Sequence, residues 1–408
     1  MTDPATQRLL SGKAWDDFCE NLRLTGHMIE QFDGIVDDLD RAEWYRCLTR
    51  YARGGLERYL EAGEPNRPRF RDLAWRHTIN FASPLQDHLF AEFPDGAGTY
   101  RITGNRGSVP YFVTATWRSA EPPDFAGQDW ALRGADGLKQ FDPAILNTTN
   151  FLESGEMAFD KDGNFSFIVS QSKPENGEDW LPMTADCVGL LVRWVLSSRE
   201  NLVPPRMWIE RLDSDGPTPI DPAHVSRGLA KTAQATLGYA ELIRSWWMNN
   251  LGNRPNTILF SQAVYLSNGG VPDRRHHGFG SWARDRDEAL VVRFTPTPCE
   301  YWTFQLCNIW QENLDNYEEG QGFLYKAGTG LDSDESVLAI IADADPGIGG
   351  HWLDPYGHVH GGWSFRLIKV DGPPPEVSVH RVKLDRLRDQ GLAALADVEP
   401  IVSGQLVE

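Results

Sequence analysis

A chain of 408 residues with 41% hydrophobic and 24% charged residues has the balance of a folded protein, with room for two or three domains of ~100–200 residues each. A formal net charge of −19, with no Lys/Arg-rich stretch to offset it, repels phosphate backbones and anionic lipid. The expected partner is therefore a small molecule, not nucleic acid or a membrane, and a homo-oligomer stays open. No apolar run reaches the ~18 residues of a spanning helix, the opening residues show no basic region followed by an apolar stretch, so no secretory signal is expected, and Cys19, Cys47, Cys187, Cys299 and Cys307 are irregularly spaced without a CxxC. Reduced thiols in a cytoplasmic protein are expected rather than a zinc or disulfide framework.

Residues 1–95 read as a helical N-terminal region. Trp15, Phe18, Leu22 and Leu24 begin a pattern near helical period, continued by Ile29, Phe32, Ile35, Val36 and Leu39 and by Trp44, Leu48, Tyr51, Leu56 and Leu60. Pro65, Asn66 and Pro68 end it. Residues 96–215 have β texture, opening with a hairpin signature in which Gly104-Asn-Arg-Gly107 separates two β-branched, aromatic runs. Residues 216–254 hold a connecting helix, announced by Asp221 as cap and Pro222 in the first turn. Residues 255–372 return to β texture. Residues 373–408 read as a peripheral tail with an amphipathic piece near Leu384–Leu395.

The two β regions are copies of one unit. Asp160–Leu181 aligns without a gap on Asp332–Leu353, sharing Asp160/Asp332, Asp162/Asp334, Ile168/Ile340, Pro174/Pro346, Gly177/Gly349, Trp180/Trp352 and Leu181/Leu353. Each copy then runs into an apolar strand carrying an arginine, Arg193 or Arg366, and is preceded by an aromatic strand, Tyr111–Trp117 or Tyr301–Leu306. The expected class is mainly β with helical additions: two repeated jelly-roll or β-sandwich-like units. Large aromatics dominate cores, so Trp180 and Trp352 read first as packing features.

The stretch Tyr301-Trp-Thr-Phe-Gln-Leu-Cys-Asn-Ile-Trp-Gln-Glu-Asn-Leu-Asp315 resembles the core signature of the bacterial domain-of-unknown-function family 1214. So does Asp345-Pro-Gly-Ile-Gly-Gly-His-Trp-Leu-Asp354-Pro-Tyr-Gly-His358, followed by Gly361 and Arg366. The resemblance covers about residues 255–370 and, more weakly, 100–212. It implies a jelly-roll-like β-sandwich and no particular activity.

The second copy is the more polar and is the expected location of a site. His358 and His360, two residues apart, would share one face of a strand and could hold a metal, with His351, Asp354, His276 or His277 as a third ligand; the plain alternative is a solvated turn. Residues 273–286, with His276 and His277, read as a polar loop suited to acid/base work or as an exposed charged loop. Asn308, Trp310 and Glu312 have period-two spacing and so would share a face, beside Tyr317; the alternative is a capped turn. Arg193, Glu210 and Arg366 in apolar strands read as structural ion pairs. His77 and His88 read as satisfied histidines.

No nucleophile elbow, nucleotide-binding glycine loop or HExxH occurs. The leading expectation is an enzyme acting on a bulky, partly apolar small molecule, aromatic or polycyclic. It would use lyase-type or hydrolytic acid/base chemistry, with no organic cofactor and with a divalent metal as an open option. His358 or His276 would be the base and Glu312 or Asp354 its partner. Asn308, Trp310, Tyr317, Arg366 and Trp352 would bind substrate. The alternatives are a non-catalytic carbohydrate-binding jelly roll and a metal enzyme built on His358, His360 and His351.

Overall fold

A computed structural model describes residues 3–403 apart from 33, 62–63, 65, 75–80, 94–95, 119–146, 215, 217, 249–251, 261–270, 272–273 and 316–318. The chain divides into two compact units. The first comprises residues 1–75, 86–242 and 267–269, and the second residues 76–85, 243–266 and 270–408.

The N-terminal apolar periodicity folds as α1 (Pro4–Leu10), α2 (Lys13–Gly26) and α3 (Asp38–Leu56), with side-chain caps setting the starts of α1 and α3. Asp3 caps α1 by accepting the Thr6 N–H, with Pro4 in the first turn. Asp37 and Asp40 form a reciprocal capping box on α3, satisfying two of its orphan amides. A single π turn, Glu57–Glu61, extends α3. The connecting helix α4 (Pro222–Trp246) begins where expected, and the Asp221 carboxylate accepts the Ala223 and His224 N–H groups. No helix among the described residues is long and apolar enough to cross a membrane.

Strands in the first unit are β1 (Arg71–Ala74), β2 (Gln86–Glu92), β3 (Tyr100–Asn105), β4 (Tyr111–Arg118), β5 (Asn147–Glu153), β6 (Asn164–Ser170), β7 (Trp180–Pro182), β8 (Gly189–Val195) and β9 (Arg206–Arg211). They form sheets of order β1-β2-β8-β4-β5 and β7-β6-β3-β9. The second unit has β10 (Thr257–Phe260), β11 (Arg275–Ala283), β12 (Glu288–Phe294), β13 (Tyr301–Cys307), β14 (Phe323–Tyr325), β15 (Val337–Ile341), β16 (His351–Leu353), β17 (His360–Ile368), β18 (Val377–Lys383) and β19 (Ile401–Ser403). Its sheets run β10-β11-β17-β13-β14 and β16-β15-β12-β18-β19. Adding nine to each strand number of the first unit reproduces the second, with β19 left over. The duplication read from Asp160–Leu181 and Asp332–Leu353 thus extends to the whole topology.

Each unit is a two-layer sandwich. In the second, Trp302, Phe304, Trp363, Phe365 and Leu367 from one sheet meet Leu290, Val292, Phe294, Ala339, Val377 and Val379 from the other. In the first, Phe112 of β4 packs on Phe165 of β6 and on Trp194 of β8. Trp180 and Trp352 hold equivalent parallel strand pairs, opposite Ile168 and Ile340, and their indole N–H groups donate to the Ser170 and Ala342 carbonyls (3.1 and 2.8 Å).

Two boundaries shift. β1 and β2 lie within the stretch expected to be helical, and β18, β19 and α5 (Leu384–Gln390) lie within the expected tail. That tail is not peripheral: Leu384, Leu387 and Ala394 cover Ala289, Val291, Leu338 and Ile340 on the outer face of the β16-β15-β12-β18-β19 sheet. The expected polar loop at 273–286 is strand β11. Its Gly278 and Gly280 stand where neighbours crowd in, since a Cβ on Gly280 would lie 1.8 Å from the Thr257 carbonyl oxygen and 2.5 Å from Trp363 Nε1.

Candidate functional site

The registers of β11, β17 and β13 decide which side chains share a face. Trp282, Trp363, Phe365, Leu367, Trp302, Phe304 and Leu306 point into the sandwich. The opposite face carries cross-strand rows of another character: His277–Arg366–Thr303, Phe279–Ser364–Gln305 and Arg275–Ile368–Tyr301. His277, Thr303, Gln305 and Ser364 are all buried.

These groups form one hydrogen-bonded network. His277 Nε2 lies 2.8 Å from Ser364 Oγ, and Arg366 Nη1 donates to Ser364 Oγ (3.1 Å) and Gln305 Oε1 (3.1 Å). Gln305 Nε2 donates to the carbonyls of Phe81 (3.3 Å) and Ala82 (3.0 Å) and to Asn313 Oδ1 (2.8 Å). Asn313 Nδ2 donates to the Ala82 carbonyl (2.8 Å), and the Ser83 and Tyr301 hydroxyls are 2.9 Å apart. The segment Phe81–Ser83 is thereby stapled across the sheet. Gly362 makes room for it, since a Cβ there would lie 2.4 Å from the Phe81 ring.

Burial, reinforced by the Arg366 charge, holds the His277 imidazole well below its ordinary pKa of 6.5, so it is neutral at physiological pH. With a guanidinium N–H already aimed at Ser364 Oγ, the serine hydroxyl is free to donate its own proton to His277 Nε2. The result is a neutral base, a hydroxyl and a fixed cation in a low-dielectric setting. Cys307, on the same face, is pushed up to about 12 by burial, so it stays a thiol and is no nucleophile at neutral pH.

Of the residues expected from sequence, Arg366 lies inside this network. Asn308, Trp310 and Glu312 belong to the loop behind it, but not as a strand face, because β13 ends at Cys307. Asn308 Oδ1 instead accepts the Trp310 and Glu312 N–H groups (3.0 Å each), and Asn308 N–H donates to the Glu312 carbonyl (2.9 Å). Trp310 and Glu312 are fully buried in that capped turn. The same loop supplies Asn313 and, through its carbonyl, Gln311, which accepts the Phe81 N–H (3.1 Å).

His276 is displaced by strand alternation to the opposite face of β11 from His277. Its Nε2 is 2.8 Å from the Gly372 carbonyl and its ring meets Phe260. His358 is not on a strand. It closes a turn by donating its N–H to the Pro355 carbonyl (3.0 Å), with Tyr356 and Gly357 at positive φ, and only His360 enters β17. The alternation argument for a His358/His360 ligand pair therefore fails. His351 Nε2 is 2.8 Å from the Gly330 carbonyl, and among the described residues His351, His358 and His360 do not converge as a three-ligand group. Asp354 accepts the Tyr356 N–H (2.8 Å) and caps that turn. Trp352 is half-buried and spends its indole N–H on Ala342. Tyr317, His77 and Asp273 lie outside the described residues. Glu210 is exposed rather than buried in an ion pair.

Ser364, Gln305 and Tyr301 were not singled out from the sequence, and His277 was named there only beside His276, as a candidate metal ligand or acid/base group. The signal was present in the alternation of Tyr301-Trp-Thr-Phe-Gln-Leu-Cys307, where Thr303 and Gln305 interrupt an apolar run at every second position.

The first unit repeats part of the arrangement. His88 and Arg193 occupy the positions of His277 and Arg366, but Val113, Ala115 and Leu191 stand where Thr303, Gln305 and Ser364 do. At the end of that face, Arg58 from the π turn pairs with Glu92, and its guanidinium lies 4.4 Å from the Trp117 ring centre and 5.2 Å from that of Phe90. Burial pushes the Glu92 carboxyl up against the pull of Arg58.

A solved structure of an uncharacterized protein from Burkholderia cenocepacia is similar to the chain over nearly its whole length, with a TM-score of 0.81 at 28% identity, covering 93% of this chain and 99% of that one. A Vibrio parahaemolyticus protein matches with a TM-score of 0.46 at 11% identity, over 88% of this chain and 98% of that chain. No protein-family model matches the chain, and no curated protein matches it in sequence. The resemblance to the domain-of-unknown-function family 1214 thus rests on the residues quoted above.

Proposed function

We propose that the second unit carries the acid/base centre of an enzyme acting on a bulky, partly apolar small molecule, by lyase-type or hydrolytic chemistry without an organic cofactor. His277 takes the role of base that sequence reasoning gave to His358 or His276. The observation that carries this is the chain Arg366–Ser364–His277. A neutral imidazole accepts a proton, and the adjacent guanidinium holds an anionic substrate group or the charge that develops on it. Phe279 and Phe81, in ring contact at 5.4 Å, supply an apolar wall beside it.

The carbohydrate-binding alternative gains less support. Sugar grooves use exposed aromatic rings, whereas Trp310 is buried and Trp352 half-buried. A second reading has a specific observation behind it: the polar groups that bind Phe81–Ser83 also satisfy one another, as architecture alone would require.

The test is turnover and binding across a panel of aromatic carboxylates and their esters, with Arg366→Gln and His277→Gln as variants. Wild-type turnover that both variants abolish, while the fold melts as before, supports the assignment. Turnover unchanged in His277→Gln removes it. A wild-type protein that neither binds nor turns over any member leaves the network as a structural staple.

A further inference from the structure

The strand left over in the repeat comparison marks an open edge. In the second unit, β18 is flanked on its outer side by β19. Its counterpart β9 ends the first unit's smaller sheet, and among the described residues nothing pairs with its outer edge. Exposed edges of this kind are templates for another strand.

The backbone sets what can dock there. Leu212 N–H donates to the Thr99 carbonyl (2.8 Å), next to the Tyr100/Arg211 pair of the β3–β9 ladder. Hydrogen-bonded and non-bonded pairs alternate along an antiparallel ladder. Arg206, Trp208 and Glu210 therefore bond inward to β3, and Met207, Ile209 and Arg211 turn their N–H and C=O groups to the open side. Side chains alternate as well: Arg206, Trp208 and Glu210 are exposed on one face, with Trp208 at 56%, while Met207 is buried on the other. Neither Arg206 nor Glu210 has an ion-pair partner among the described residues.

We propose that β9 pairs antiparallel with β9 of a second copy of the chain, about a two-fold axis through Trp208. Only residues with outward-facing backbone groups can form the new hydrogen-bonded pairs, so the allowed registers set Met207, Ile209 and Arg211 opposite one another. Of these registers, Met207 opposite Ile209 is the one that sets opposite charges against each other. It sets Trp208 against Trp208 in a non-hydrogen-bonded pair, where side chains approach most closely. It also sets each Arg206 against a Glu210, one ion pair on either side of the indoles. Four strands from each copy then form one continuous sheet, closed by symmetry.

The experiment is light scattering of the full chain after size-exclusion chromatography, over a concentration series reaching hundreds of micromolar. A mass approaching twice that of the chain is expected. Arg206→Glu and Glu210→Arg should each weaken the dimer at least tenfold, and the double charge reversal should restore it. Register is read by oxidative cross-linking in a Cys19→Ser background, which removes the exposed native thiol. Trp208→Cys should form a covalent dimer and Arg206→Cys should not, while Arg206→Cys mixed with Glu210→Cys should. A chain that is monomeric throughout, a dimer indifferent to Arg206→Glu, or Arg206→Cys cross-linking as readily as Trp208→Cys would each overturn the proposal. Arg206, Trp208 and Glu210 are exposed, so these variants are expected to fold.

Discussion

Replacing Arg58 by Met should unmake the first unit more than any surface change, because it strands a buried carboxylate. The Arg58 side chain is 6% exposed and that of Glu92 14%, so solvent screens little of their interaction. Removing one partner of a buried pair costs about 3–5 kcal/mol, since the remaining charge keeps its desolvation penalty without compensation. Loss of the guanidinium from the Trp117, Phe90 and Tyr59 rings adds to this, partly offset by the apolar contact of Met. Arg58→Met/Glu92→Leu removes both charges and should recover most of the loss, leaving about 3 kcal/mol of coupling in the double-mutant cycle. Hydrogen exchange followed by mass spectrometry on peptides from β2 and β4 reads the opening energy of this unit by itself. The penalty should also depend on pH. In Arg58→Met the folded Glu92 pKa, already raised by burial, climbs further above the unfolded value of ~4.3. A raised carboxyl contributes stability that is present below its unfolded pKa and lost as pH rises through its folded one. The variant should therefore be least impaired in mild acid and most impaired above neutrality. A loss under about 1 kcal/mol, or a double variant no better than Arg58→Met, would refute the reasoning.

His277 gives a second pH signature. Its folded pKa lies well below the unfolded ~6.5, so the unfolded chain takes the proton first. Stability should fall as pH drops from ~6.5 towards the folded pKa, by up to ~1.36 kcal/mol per pH unit, and His277→Gln should flatten that slope in urea titrations between neutral and mildly acid pH. Gly280→Ala would press a methyl against the Thr257 carbonyl, which is backbone and cannot swing away, and against the Trp363 indole that donates to that carbonyl. A cost of about 1–3 kcal/mol and a changed tryptophan emission are expected, and an unaltered melting temperature would contradict the packing described.

The duplication was legible because Asp160–Leu181 and Asp332–Leu353 keep a Trp-Leu pair at the same distance from an aspartate turn, and such anchors tolerate little change. β11 was not legible as a strand. Gly278 and Gly280 erase its apolar alternation, and the reason for glycine there lies on β10 and β17, remote in sequence. β18 was hidden differently. Val377, Val379 and Val382 are a thin signal behind three prolines, and what makes them a strand is pairing with β12. The site failed on parity. His276 and His277 are equally plausible until the register with Arg366 puts the second on the polar face, and one residue of register exchanges every side chain between faces. Arg366 itself was recognisable, as a charge set among apolar neighbours.

The staple made by Phe81–Ser83 has a consequence for the order of events in the cell. Ser83 bonds Tyr301 across 218 residues of sequence, and Asn313 holds Ala82 across 231. At a synthesis rate of ~5–20 residues per second, roughly 10–50 s separate the emergence of this segment from that of its binding strands. The first unit's strands from β2 onward leave the ribosome in that interval and can assemble, but Phe81–Ser83, immediately before β2, must wait. The polar face of the second unit therefore matures late, and its assembly waits until residues as far along as Arg366 have been made.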